Sequence, residues 1–152
     1  IYGRMKIIIE EAKKKDVFHL VSLHRELIPD GFLTSLGKNF LVLLYHAIVS
    51  SKNSFCFIAL EGYNIVGFVA GIANLKIFLR RFLLRNFFPL SLVFLFNLLR
   101  PVFIIKIVDD ILYSLKTGKN SYPSAEIFSI AVDKSAQDKG FGKALSESGF
   151  LF

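Results

Sequence analysis

The chain has 152 residues, 53% of them hydrophobic, with 17 Phe, no Trp and a formal net charge of +7. That length suits one domain with a real core, and the apolar fraction excludes a disordered chain. The positive balance favours anionic partners: a nucleotide cofactor, a membrane surface or nucleic acid.

The N-terminal residues carry no signal-peptide pattern, and Met5 reads as a natural start, so one domain is expected over 5–152. Lys6 to Glu10 is a β-branched run and predicts a first strand. Asp16 is placed to cap a helix through Val17, Leu20, Val21, Leu23, Leu27 and Ile28, ended by Pro29-Asp30-Gly31. A second helix is predicted over Lys38 to Ser50, with Phe40, Leu41, Leu44, Tyr45 and Ile48 inward. Phe55 to Glu61 and Ile65 to Ala73 predict a hairpin, turned at Gly62-Tyr63-Asn64. Gly67 and Gly71 in its second strand mark a bulge or a close backbone approach. Cys56, the lone cysteine, reads as a small buried hydrophobe, and a chain with one cysteine fits a reducing compartment.

Between Leu75 and Val108 stand six basic residues (Lys76, Arg80, Arg81, Arg85, Arg100, Lys106), seven Phe and no acidic residue. Its longest uncharged run, Asn86 to Arg100, is shorter than the ~20 residues of a membrane span. This basic aromatic helical insert, 75–118, has three open readings: a lid packed on the sheet, a surface lying on an anionic membrane through 75–108, or a contact with another chain, a second copy included. Its Phe residues sit in aliphatic company, so nucleic acid is not expected. Gly118 to Ser124 predicts a loop.

Ala125 to Val132 then reads as a buried strand, followed by a polar loop and a glycine-punctuated helix start, with Gln137, Gly140 and Gly142 spaced Gln-x-x-Gly-x-Gly. Glycines there leave main-chain N–H groups open to an anion at the positive end of a helix. A dinucleotide fingerprint is disfavoured, because the third Gly is missing. Gly149 predicts an early end to the helix. Among the histidines, His19, His24 and His46 fall on predicted helices and read as surface or packing residues. No residue spacing suits a metal, and none is expected.

The stretch from Glu126 to Leu145 resembles the acyl-CoA-binding motif of the GNAT (Gcn5-related N-acetyltransferase) superfamily, and the element order over Lys6 to Leu145 matches the first two-thirds of that fold. The resemblance implies an α/β fold: a mixed, mostly antiparallel sheet flanked by helices, with the helical insert between its third and fourth strands. The family's C-terminal strands would be absent, so the chain is expected to be a C-terminally truncated, incomplete N-acetyltransferase domain. The resemblance gives acetyl-CoA as donor and a small-molecule or peptide primary amine as acceptor, joined by direct attack in a ternary complex. It places the pantetheine arm on the backbone of Ile130 and Val132, and the pyrophosphate on Gln137, Asp138, Lys139, Gly140, Phe141, Gly142 and Lys143. It suggests Glu126 as the base, although a solvent-facing carboxylate at a strand end is the other reading. It implies a cytoplasmic protein, with membrane association and homo-oligomers left open. The alternative function is a non-catalytic membrane-peripheral or partner-binding module on a degraded acyltransferase fold.

Overall fold

A computed structural model describes residues 7–97 and 126–151. Strands β1 (Ile8–Glu11), β2 (Ser54–Glu61), β3 (Asn64–Ile72) and β4 (Glu126–Val132) form one antiparallel sheet in the order β1-β2-β3-β4. Among the described residues six helices accompany it: α1 (Val17–Leu27), α2 (Phe32–Ser35), α3 (Lys38–Ser50), α4 (Leu75–Arg85), α5 (Phe87–Asn97) and α6 (Phe141–Phe150). The architecture is the expected α/β one, with helices flanking the sheet. Helices α4 and α5 follow β3; the rest of the insert and the loop at Gly118 to Ser124 lie outside the described residues.

Alternation along β2 divides the sheet into two faces. Cys56 and Ile58 join the large core built with α1, α3 and α4. Phe55, Phe57 and Ala59 point the other way, to the smaller cluster around Phe141 and Leu145 of α6. Both α6 side chains are buried, and full burial of each stabilises the fold by roughly 1.5–3 kcal/mol. The hairpin turns through Gly62, whose φ of +66° is left-handed and suits glycine. Asp16 does not cap α1: its carboxylate accepts from the Lys13 N–H at 2.8 Å, closing the short 3-10 turn that precedes the helix.

Two bulges interrupt the sheet, close to the glycines that foreshadow them. Ala59 pairs with Gly67 and Leu60 with Ile65, leaving Val66 as the extra residue of β3. Ala70 pairs with Ser129 and Gly71 with Ile127, leaving Phe128 as the extra residue of β4. A Cβ on Gly67 would lie 2.9 Å from the Ala131 carbonyl oxygen, so the two strands approach there as only glycine allows. The second bulge breaks the alternation along β4: Phe128 packs on the α1–α3 core, and Val132 on the α6 cluster.

Helix α6 runs through Gly149 and ends at the next residue, Phe150. A Cβ on Gly149 would meet Phe55 Cε2 at 3.3 Å, so its small size serves helix–sheet packing.

Candidate functional site

The corner between β4 and α6 is held by short polar contacts. Asp133 N–H donates to the Val66 carbonyl at 2.7 Å, tying the end of β4 to the β3 bulge. Its carboxylate accepts from Ser135 N–H (2.7 Å) and Oγ–H (2.6 Å), capping a 3-10 turn at Lys134–Ala136. Those hydrogen bonds hold the Asp133 carboxyl below its ordinary value. Gln137 Nε2 donates to the Val132 carbonyl at 3.1 Å, so this side chain braces the strand it follows.

The chain then enters a left-handed passage, with Asp138 at φ +62° and Gly140 at φ +90°, before α6 begins. The first helical bond runs from Ala144 N–H to the Gly140 carbonyl at 3.1 Å. The N–H groups of Phe141, Gly142 and Lys143 precede it and have no acceptor in the helix. A Cβ on Gly142 would meet only Val132 Cγ2, at 3.9 Å, so a side chain could stand there without a clash. Unpaired N–H groups at the positive end of α6 favour an anion.

Side chains around this corner play differing parts. Phe141 is 1% exposed and belongs to the core, so only its backbone is available to a ligand. Lys139 Nζ pairs with Glu61 Oε1 of the hairpin at 2.9 Å. Lys143 is exposed and stands 3.9 Å from Glu147. Ile130 is partly exposed on β4, the edge strand of the described sheet. Glu126 begins that strand and pairs in register with Ile72.

Beside β4 opens a cavity of about 400 Å³. Residues 127–130 form one wall; His24 and Ile28 from the end of α1, with Gly31, Phe32 and Leu33, form the other. His24 is 1% exposed, and its ring packs against Phe68 at a centroid distance of 6.1 Å. Its Nδ1 is 2.7 Å from the Tyr45 hydroxyl. Its Nε2 is buried with no hydrogen-bond partner, as is Ser129 Oγ. Burial lowers the pKa of His24 and keeps the imidazole neutral. Burial likewise raises Tyr45; Cys56 adds to that rise, and the neighbouring Ser129 hydroxyl opposes it without reaching hydrogen-bond geometry. Tyr45 is thus a neutral phenol that can donate or accept. When Nδ1–H donates to it, the free nitrogen of His24 is a lone-pair acceptor.

His24 packs, as expected of these histidines, but it also reaches the cavity beside the motif strand, which sequence reasoning missed. The signal was its place on the apolar stripe Val17, Leu20, Val21, His24, where a polar ring needs partners. Among the described residues, no group of three or more His, Cys, Asp or Glu comes together as a metal site.

The sequence matches the acetyltransferase (GNAT) family over residues 18–148. No curated protein matches the chain. Among solved structures it is similar to the aminoglycoside N-acetyltransferase AAC(6')-Iy in complex with the bisubstrate analogue CoA-S-monomethyl-acetylneamine. The TM-score is 0.58 at 14% identity, covering 96% of this chain and 70% of that one. The same enzyme in complex with CoA gives a TM-score of 0.58 at 14% identity, covering 96% and 68%. A glucosamine N-acetyltransferase region in a fungal multi-domain β-N-acetylglucosaminidase gives 0.54 at 14% identity, covering 96% of this chain and 12% of that one. These likenesses concern the fold; the match over most of the chain carries the family, and the protein belongs to the GNAT acetyltransferases.

Proposed function

We propose that the protein is an acetyl-CoA-dependent N-acyltransferase acting on a primary amine. The observation that carries this reading is the main chain at the start of α6, with Gly140 left-handed and Gly142 met only by Val132, one short turn after the edge strand of the described sheet. The amides of Phe141, Gly142 and Lys143 would hold the pyrophosphate. Ile130 and Val132 would offer backbone to the pantetheine arm as an added strand does. The Val132 carbonyl already receives Gln137, so its free capacity is one lone pair. The bound donor supplies an activated acetyl group.

The residues of this chain would bind and orient the amine and take its proton. The cavity between α1, α2 and β4 is the proposed acceptor site. Its described lining carries no charged side chain, which suits an amine on a largely uncharged body. Glu126, at the start of β4, is the proposed proton acceptor. His24 is the second candidate, favoured by its neutral ring, its place in the cavity lining and a buried Nε2 that has no partner. The structurally similar aminoglycoside N-acetyltransferase holds the bisubstrate analogue CoA-S-monomethyl-acetylneamine. The few polar groups around this cavity favour a less highly charged acceptor for this chain.

Calorimetric titration of acetyl-CoA, with Gly142→Glu as control, tests the reading. Glu at position 142 puts bulk and negative charge over the amides without backbone strain, whereas position 140 is left-handed and any side chain there is strained. Micromolar binding lost in the variant supports the donor site. Folded protein without binding sinks it.

A further inference from the structure

The α4–α5 pair carries seven of the fourteen exposed large hydrophobic residues of the described chain. They are not scattered. On α5, Phe88, Leu92 and Leu95 follow one another at i, i+4 and i+7, a single outward stripe. On α4, Ile77 and Leu84 stand one heptad apart on the face opposite the buried Phe78 and Phe82. Arg80, Arg81 and Arg85 are exposed beside them. The helix pair is fastened to the body through Phe78, Phe82 and Leu90, so the exposed residues are held in place on a packed base.

A second observation lies beneath α4. A cleft of about 500 Å³ opens between α3 and α4, bordered by Lys14, His46, Lys52, Arg81 and Arg85, with no acidic residue in its wall. Basic side chains converging from three parts of the chain favour an anionic group such as a phosphate. Between Leu75 and Asn97 there is no acidic residue to oppose it. Apolar side chains turned outward next to a cationic cleft match a surface that is anionic at its face and apolar just below. A soluble protein partner would need to satisfy both; a lipid layer supplies both by construction.

We propose that the α4–α5 pair seats the protein on an anionic lipid surface. Phe88, Leu92, Leu95 and Leu84 enter the acyl boundary, and Arg81 and Arg85, with the cleft below, take lipid phosphates. Among the described residues no helix is long and apolar enough to cross a membrane, so the contact is peripheral. The proposal is independent of which acceptor the cavity binds.

Flotation of the whole chain with vesicles tests it, comparing phosphatidylcholine alone with phosphatidylcholine containing phosphatidylglycerol. Binding is expected only to the anionic vesicles. The triple variant Arg80→Gln, Arg81→Gln, Arg85→Gln should partition roughly a hundredfold more weakly, at about fivefold per basic residue near an anionic surface. The variant Leu84→Ser, Phe88→Ser, Leu92→Ser should lose binding too, with all three positions exposed and the thermal transition kept. Three results would overturn the proposal. One is no flotation by folded protein. Another is charge-dependent binding that inorganic phosphate competes away and the apolar variant retains, which marks a site for a free anion. The third is an oligomer in light scattering that the apolar variant dissociates without any effect on lipid, which marks a second copy as the occupant.

Discussion

The two faces of the sheet do different work. On the α6 face, neighbours approach through glycine: Gly67 against the Ala131 carbonyl, Gly149 against Phe55, and Gly142 left uncovered. On the α1–α3 face, large side chains fill the core, and the polar groups His24, Tyr45 and Ser129 are buried among them, His24 and Ser129 in the lining of a cavity. The first face exposes main chain and suits a ligand recognised by its charge. The second withholds main chain and presents a few side-chain atoms, which suits a ligand recognised by its shape and hydrogen bonds. The bulges at Val66 and Phe128 interrupt the alternation that separates the two faces.

Breaking the α6 face should have the largest effects. Gly142→Glu is expected to weaken acetyl-CoA at least a hundredfold by calorimetry while the urea midpoint barely moves, since a Cβ there meets nothing closer than 3.9 Å. An equal loss of stability would mean that the position is structural. Gly67→Val should do the reverse. A branched side chain forced against the Ala131 carbonyl costs about 3 kcal/mol, at the upper end of overpacking, and urea unfolding would register it directly.

On the other face, His24→Gln should lower amine turnover more than acetyl-CoA affinity, and its stability cost should be about 1–3 kcal/mol through the unpaired Tyr45 hydroxyl. The sign of its pH effect is fixed by burial. The folded protein holds His24 below its ordinary 6.5, so under that pH the unfolded chain binds a proton that the folded chain refuses. Stability is therefore full above 6.5 and falls as the pH drops through the lowered value; the Gln variant should flatten that part of the curve. The smallest effect sharpens the contrast. Lys139→Ala removes an ion pair with Glu61 that is partly exposed, and should change stability by at most about 1 kcal/mol. A large drop in acetyl-CoA affinity in that variant would show that Lys139 leaves Glu61 to meet the donor.

What the sequence revealed was local. Lys38–Ser50 is the helix its periodicity predicts, and the hairpin lies where alternation and Gly62 place it. The glycine motif is legible because its meaning is written in consecutive residues. Longer-range facts were hidden. Gly149 reads as a helix breaker by propensity and α6 ends one residue later, but its contact with Phe55, nearly a hundred residues away, has no mark in the sequence. The bulge at Phe128 shifts the faces of β4 and has no mark within the strand itself. The partner of His24 is Tyr45, on another helix, so its role depends on how α1 and α3 meet. Helix α2 has no mark in the sequence: it follows the stop at Pro29-Asp30-Gly31, and four residues show no periodicity.

Cys56 has a practical consequence. It is the single cysteine of the chain, and burial, with Asp16 adding to it, pushes its thiol up to about 12. Maleimide chemistry at neutral pH should pass it by. A cysteine introduced at Tyr63, fully exposed at the hairpin tip, would then be the one site labelled in native protein. That tip stands two residues from Glu61, the carboxylate that grips Lys139 of the turn before α6. A fluorophore there can report ligands arriving at the turn without occupying it, giving a spectroscopic window on a chain with no tryptophan.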